Sequence, residues 1–199
     1  MGDRAQAADG PHRLILPEEG DPRPRRAVEA NVPRPTEPAV AKPYGATYWD
    51  ARYAGDDYVF GTEPNTFLAE HVGLLEGPVL SLSEGEGRNA VFLAAQGLDV
   101  TGVDLSPVAL AKAQRLAAAR GVRITTVVAD LAVYEPEAGR YGAVVSISAH
   151  LPSAIRRRLY PLVERALRPG GIVLLEAYSE DQLGRDSGGP KDPDLLMTV

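Results

Sequence analysis

The residues best suited to chemistry lie in the stretch VLSLSEGEGRN, residues 79–89. Ser81, Ser83, Glu84, Gly85, Glu86 and Gly87 occupy the point where an apolar run stops and a helix-forming run begins. Glycines at such a turn let the backbone take positive φ and let a ligand approach closely. Asp104 follows 19 residues after Gly85, in TGVDLS, and Asp130 stands in VVADL. Each of these acids ends an apolar run, where a carboxylate can accept from a ribose diol or from the amino group of a base. His150, in SISAHLPS, is placed to take a proton from an oxygen or nitrogen nucleophile, and reads equally well as a helix-entry histidine bonded to backbone. With 3 His and no Cys, disulfides, zinc–thiolate sites and cysteine nucleophiles are excluded. His12, His71 and His150 lack metal-ligand spacing, so no metal site is expected.

Three ligands compete for a strand–glycine–helix loop. A phosphate loop needs G-x-x-x-x-G-K-[ST], and no Lys-Ser or Lys-Thr follows Gly87. A dinucleotide loop needs G-x-G-x-x-G; with Gly85 in the middle, Ser83 and Arg88 fill the outer positions. S-adenosylmethionine has no phosphates and needs backbone room, which E-x-G-x-G supplies. It also needs a carboxylate for its ribose at the end of the next strand (Asp104) and a polar side chain for its adenine at the end of the third (Asp130). Sites on the carboxyl ends of consecutive strands are where open α/β sheets bind ligands.

The elements that would position these residues are legible. Val79–Leu82, Leu98–Val103, Val122–Val128, Tyr141–Ile147 and Ile172–Ala177 read as strands. Asn89–Gln96, Val108–Arg120 and Ser153–Leu167 read as helices, with Ser106 as N-cap and Pro107 at the first helical position of the second. Glu63–Leu75 reads as a further helix capped by Thr62. Apolar strands alternating with helices predict an α/β fold, doubly wound around a mostly parallel sheet. Residues 1–43 differ: they hold eight of the 17 prolines, and a disordered Pro/Arg-rich extension is expected. The rest, 44–199, is one domain: a flap and helix at 44–75, a cofactor-binding core at 79–178 and a tail at 179–199. A net charge of −6 argues against a nucleic-acid partner held by phosphate contacts, which needs a basic face. No apolar run approaches membrane-span length, and a cytoplasmic location is expected.

The stretches YWDARYAGDDYVFGTEPNTFL, EGEGRNAVFLA, VDLS, VVADL, ALRPGG and LLEAY resemble class I S-adenosylmethionine-dependent methyltransferases. They are most similar to the small-molecule group around the tellurite-resistance and thiopurine methyltransferases. The resemblance implies a Rossmann-like fold and cofactor contacts from Phe60, Gly61, Ser81, Ser83, Glu84, Gly85, Gly87, Asn89, Asp104, Leu105, Asp130, Leu131 and Ile147. It makes the aromatic segment from Tyr44 to Phe60 a flap, with Tyr58, Phe60, Gly61 and Thr62 nearest the cofactor; the alternative is packing over the first helix. The family loop is D-x-G-x-G-x-G, so Ser81 lacks a carboxylate and Ser83 carries a Cβ where glycine is usual.

The family sheet runs 3-2-1-4-5-7-6 with an antiparallel last pair. Only 21 residues follow Tyr178, so the fold is expected to be truncated after the fifth strand. That strand would then be an exposed edge inviting a homo-oligomer. The expected activity is methyl transfer to a small-molecule acceptor such as a thiol or chalcogen anion. The alternative is a non-catalytic fragment of the fold that binds cofactor weakly or self-associates. Arg156, Arg157 and Arg158 read as a solvated helix face.

Overall fold

The computed structural model describes residues 12–17, 45–186 and 188–197. In chain order the elements are β1 (His12–Pro17), α1 (Ala46–Tyr53), α2 (Thr66–His71), β2 (Val79–Leu82), α3 (Arg88–Ala95), β3 (Val100–Asp104), α4 (Pro107–Ala119), β4 (Thr125–Val128), β5 (Tyr141–Ile147), α5 (Ser153–Ala166) and β6 (Leu167–Ala177). The sheet order is β1-β6-β5-β2-β3-β4. β2 to β6 are mutually parallel, and β1 is antiparallel to β6. The fold is the α/β, doubly wound arrangement expected.

Alternation along each central strand feeds two cores. Val79, Ala143, Val145 and Leu174 face one side, with Phe67 and Leu68 of α2, Leu93 of α3 and Leu116 of α4. Leu80, Leu82, Val103 and Val144 face the other, with Ile155, Leu159 and Val163 of α5. Every residue of β2, β3 and β5 is buried, as a parallel sheet covered on both faces requires. The connections after β2 and after β5 lead to opposite sides of the sheet, so a crevice opens between these neighbouring strands at their carboxyl ends.

Three expectations are corrected. The fifth parallel strand, β6, is not an exposed edge. β1 pairs with it from His12↔Ala177 to Pro17↔Ile172, filling the place beside the fifth strand that the family gives to an antiparallel strand. The N-terminal extension therefore contributes residues 12–17 to the sheet; its residues 1–11 and 18–43 lie outside the described residues. The helix expected over Glu63–Leu75 starts later. Asn65 caps it, accepting from Leu68 N–H at 3.0 Å, because Pro64 disfavours helical backbone at Glu63. Of the three arginines read as a solvated face of α5, Arg157 is exposed as expected, while Arg156 and Arg158 are staples. Arg158 donates to Tyr134 O at 3.0 Å and Val133 O at 3.1 Å, and Arg156 donates to Asp194 O at 2.8 Å.

Candidate functional site

The loop after β2 is built by backbone that only a few residue types accept readily. Ser83 has φ 53, Gly85 φ 65 and Gly87 φ 96. Ser83 therefore sits in the left-handed region with a side chain attached, a strain of about 1–3 kcal/mol that the surroundings must hold. Gly87 has a second constraint. A Cβ there would lie 2.7 Å from both Cα and Cβ of Ala113, so its glycine sets the close approach of α3 to α4.

The carboxylate absent at Ser81 is supplied by Glu84. Its side chain turns back under the loop, takes a hydrogen bond from the Ser81 hydroxyl and accepts from Ala90 N–H at 2.8 Å. The α3 N-terminus thus receives a negative group. Burial pushes the Glu84 carboxyl up to about 7, against the lowering effect of these hydrogen bonds.

Asp104, at the end of β3, spans two turns. Its Oδ2 accepts from Gly85 N–H at 2.8 Å and its Oδ1 from Ser106 N–H at 2.8 Å. Burial raises its pKa, while the backbone donors lower it. Ser106 caps α4 by accepting from Ala109 N–H at 3.1 Å and donates its own hydroxyl to Asp50 of α1 at 2.5 Å. The carboxyl ends of β2 and β3 and the N-terminal helix α1 are joined through these groups.

The aromatic segment lies over the loop. Tyr53 is buried, stacks on Trp49 at 5.6 Å and meets Phe60 edge-on at 6.4 Å. Its hydroxyl is 3.3 Å from where a Cβ on Gly85 would sit. Burial, with Asp104 and Glu86 nearby, raises the Tyr53 pKa, so the phenol is a neutral donor at pH 7. Phe60 is exposed, with Arg52 over its ring at 5.4 Å. Thr62 instead faces Arg120 beyond the end of α4, at 3.5 Å.

At the next strand ends, Ile147 closes β5 and is buried, and Ser148 takes φ 55. The chain then turns to place His150 beside Tyr178, with ring centroids 5.5 Å apart. Its Nδ1 is buried with no hydrogen-bond partner, and burial pushes its pKa down to about 4. The imidazole is therefore neutral at pH 7. Asp130 stands two residues beyond β4 and accepts from Ala132 N–H at 2.9 Å. Leu131 joins the core under α5, and Leu105 is half-buried. Asn89 Oδ1 accepts from Asn65 N–H at 3.0 Å. Asn65 Nδ2 in turn donates to Glu176 Oε1 at 2.6 Å, tying α3 to the end of β6.

Sequence reasoning missed Asp50, Asn65, Lys112 and Glu176, and gave Glu86 and Tyr53 no role beyond their place in the loop and the aromatic segment. For Lys112 a signal was present: it is a lone cation on the apolar stripe Ala109–Ala113–Leu116 of α4. For Asn65 and Glu176 none was, because their meeting spans 111 residues of chain.

Residues 79–171 match the model of a methyltransferase domain. A relative from Mycobacteroides abscessus, a 2-heptyl-1-hydroxyquinolin-4(1H)-one methyltransferase, is 29% identical over 69% of this chain and 63% of its own. A solved structure described as converting a disulfide bond into a thioacetal group during echinomycin biosynthesis is similar at TM-score 0.54. It is 31% identical over 64% of this chain and 57% of its own. A Haemonchus contortus phosphoethanolamine N-methyltransferase 2, in complex with phosphomonomethylethanolamine and S-adenosylhomocysteine, matches at TM-score 0.52. Its identity is 30% over 64% of this chain and 32% of its own. The chain shares a Rossmann-like α/β fold with these proteins. It spans less than two thirds of the length of each of these proteins.

The Haemonchus neighbour holds S-adenosylhomocysteine; in the methyl-donor form of that ligand, S-adenosylmethionine, a sulfonium and an ammonium outweigh one carboxylate. The site's electrostatics fit such a ligand. Glu84, Glu86, Asp104 and Glu176 are all buried around the strand ends, and Lys112 is the one buried cation among the described residues. The Gly85 turn, packed under the Tyr53 hydroxyl with its amide already bonded to Asp104, offers no bed of free N–H groups for a phosphate. Among the described residues no group of acids and histidines could hold a metal ion, and no helix is long and apolar enough to cross a membrane.

Proposed function

We propose that the chain transfers a methyl group from S-adenosylmethionine to a small-molecule acceptor. The observation that carries this reading is the clasp of Asp104, at the end of β3, on Gly85 in the loop after β2, with Glu84, Glu86 and Glu176 also buried at the strand ends. S-adenosylmethionine supplies an electrophilic methyl carbon on a sulfonium. The chain's part is to hold and align. Ser83, Gly85 and Gly87 shape the loop, with Ser81, Glu84 and Asn89 bracing it. Asp104 and Asp130 receive the ribose and the adenine, with Leu105, Leu131 and Ile147 as apolar walls. Phe60, Gly61 and Tyr53 cover the methyl group and exclude water. Alignment of this kind can lower a barrier by about 7–11 kcal/mol.

The acceptor is a thiol or chalcogen anion in the simplest reading, since such nucleophiles need little help from a base. An acidic hydroxyl is the second reading. It is favoured by His150, whose neutral imidazole has an unpartnered Nδ1 on the same rim of the sheet. The Mycobacteroides relative, named for a hydroxyquinolone, points the same way.

Calorimetry with S-adenosylhomocysteine tests the cofactor reading: micromolar binding is expected, and no binding would leave only the fold. Mass detection of methylated product from thiols and from N-hydroxyquinolones then separates the acceptors. His150→Gln should lower the rate about 100-fold or more with a hydroxyl acceptor, and much less with a thiolate.

A further inference from the structure

Lys112 is 1% exposed, and its ammonium is spent entirely within the protein. Nζ donates to Gly55 O at 2.9 Å and Asp57 O at 2.6 Å, and lies 2.5 Å from Glu86 Oε1. Nζ also reaches Tyr53 O at 3.5 Å, so three backbone carbonyls and one carboxylate surround the ammonium. The ring of Tyr58 lies over it at 5.0 Å from its centroid, and the Tyr58 hydroxyl donates to Lys112 O at 3.1 Å. The second oxygen of Glu86 accepts from Val59 N–H at 2.7 Å. The carbonyls of 55 and 57 and the amide of 59 therefore end on one ion pair.

The flap from 54 to 60 has no helix or strand of its own. Backbone groups outside helices and strands need other partners, and here a pair of charges provides them. Glu86 is also the residue between Gly85 and Gly87. The neighbour of Lys112, Ala113, is the residue against which Gly87 packs. The same turn of α4 thus fixes both the glycine loop and the segment above it. Tyr53, whose hydroxyl stands over Gly85, offers the first of the carbonyls that Lys112 reaches.

We propose that Lys112, paired with Glu86, is a positioning residue that docks the aromatic flap onto the glycine loop and so sets how tightly the cofactor is held. The proposal rests on the reading of this crevice as an S-adenosylmethionine site. Lys112 does not reach the ligand itself; it acts through Tyr53, Tyr58 and the loop backbone.

Trp49 is the only tryptophan and stacks on Tyr53, so its emission reports the flap independently of any ligand. Lys112→Met and Glu86→Gln are compared with wild type by tryptophan emission and by calorimetry with S-adenosylhomocysteine, after far-UV circular dichroism confirms folding. Lys112→Met should red-shift the emission and weaken binding on the order of tenfold or more. Glu86→Gln, which keeps an oxygen for Val59, should move both readouts in the same direction by less. Folded variants with wild-type emission and wild-type affinity would overturn the proposal and leave the pair as a stability staple. If Lys112→Met does not fold, Glu86→Gln decides by the same two readouts. If wild type does not bind S-adenosylhomocysteine, the cofactor reading fails, while the emission shift still decides whether the ion pair positions the flap.

Discussion

Asp104 at the end of β3 holds Gly85 in the loop after β2: its Oδ2 accepts from the Gly85 amide at 2.8 Å while its Oδ1 takes the Ser106 amide. The carboxylate that would receive a ribose therefore also sets the height of the glycine loop. Asp104→Ala should weaken S-adenosylhomocysteine binding by about 1.5–3 kcal/mol, the range for a hydrogen bond to a charged group. Asp104→Asn should fall between. It keeps an oxygen for one amide and turns an NH2 toward the other. Calorimetry checks the order wild type, Asn, Ala; unchanged affinity in a folded Ala variant would remove Asp104 from the site.

Glu84 and His150 give opposing pH dependences. Glu84 titrates near 7 in the folded protein against 4.5 unperturbed, so the folded state binds more protons between those values. Its contribution to stability is present below the lower value and falls by about 3 kcal/mol as pH rises through 7. His150 is lowered from 6.5 to about 4, so the unfolded state binds more protons in that window. Its contribution rises by about 3 kcal/mol as pH climbs from 4 to 6.5. Asp104, also raised, adds to the Glu84 direction. Wild type should therefore show a shallow profile in urea melts between pH 5 and 8. Glu84→Gln should gain stability with rising pH up to about 6.5, and His150→Gln should lose it up to about 7. Parallel profiles for all three would refute the assignment.

Gly87→Ala should be among the more damaging substitutions in the loop. The new Cβ meets Ala113 at 2.7 Å on backbone, and φ 96 disfavours any side chain. A loss of about 2–4 kcal/mol is expected, from left-handed strain plus overpacking. Gly97→Ala provides the contrast. It has φ 87 but open space around it, so strain alone should act there. A Gly87 variant no less stable than the Gly97 variant would mean that α3 and α4 can separate freely.

The parallel core was legible because each strand is a short apolar run closed by glycine or a capped helix. Val79–Leu82 and Tyr141–Ile147 match the sequence reading at both ends. β3 starts two residues later than read, because the Leu98 amide turns back to Leu93 O before the ladder begins. The turn itself was legible from its glycines, and the positive φ at Ser83 fits the glycine that the resemblance places there. What was not legible lies in contacts between distant segments. The Lys112–Glu86 pair and the Asn65–Glu176 bond each join parts of the chain that share no local pattern. β1 was missed because its six residues sit among prolines, which argue against a strand until a partner edge is known.

That edge carries the last prediction. β6 is paired on one side by β5 and on the other by β1, through a register that runs from His12↔Ala177 to Pro17↔Ile172. Removing residues 1–18 would leave the outer amides and carbonyls of Ile172, Val173, Leu174 and Leu175 without that partner. Unpaired edge groups on an apolar strand template the addition of another chain. The shortened protein should form dimers or larger species by light scattering, with a lower melting temperature, whereas the full chain should remain smaller at the same concentration. Pro17 marks the end of the ladder, since proline has no amide to donate there. A substitution inside β1 separates pairing from mere length: Leu14→Pro or Ile15→Pro removes a backbone donor and restricts φ while the chain stays full length. Both should shift the protein toward the behaviour of the deletion. If the deletion and the proline variants all stay monodisperse with an unchanged melt, β1 is not what protects the β6 edge.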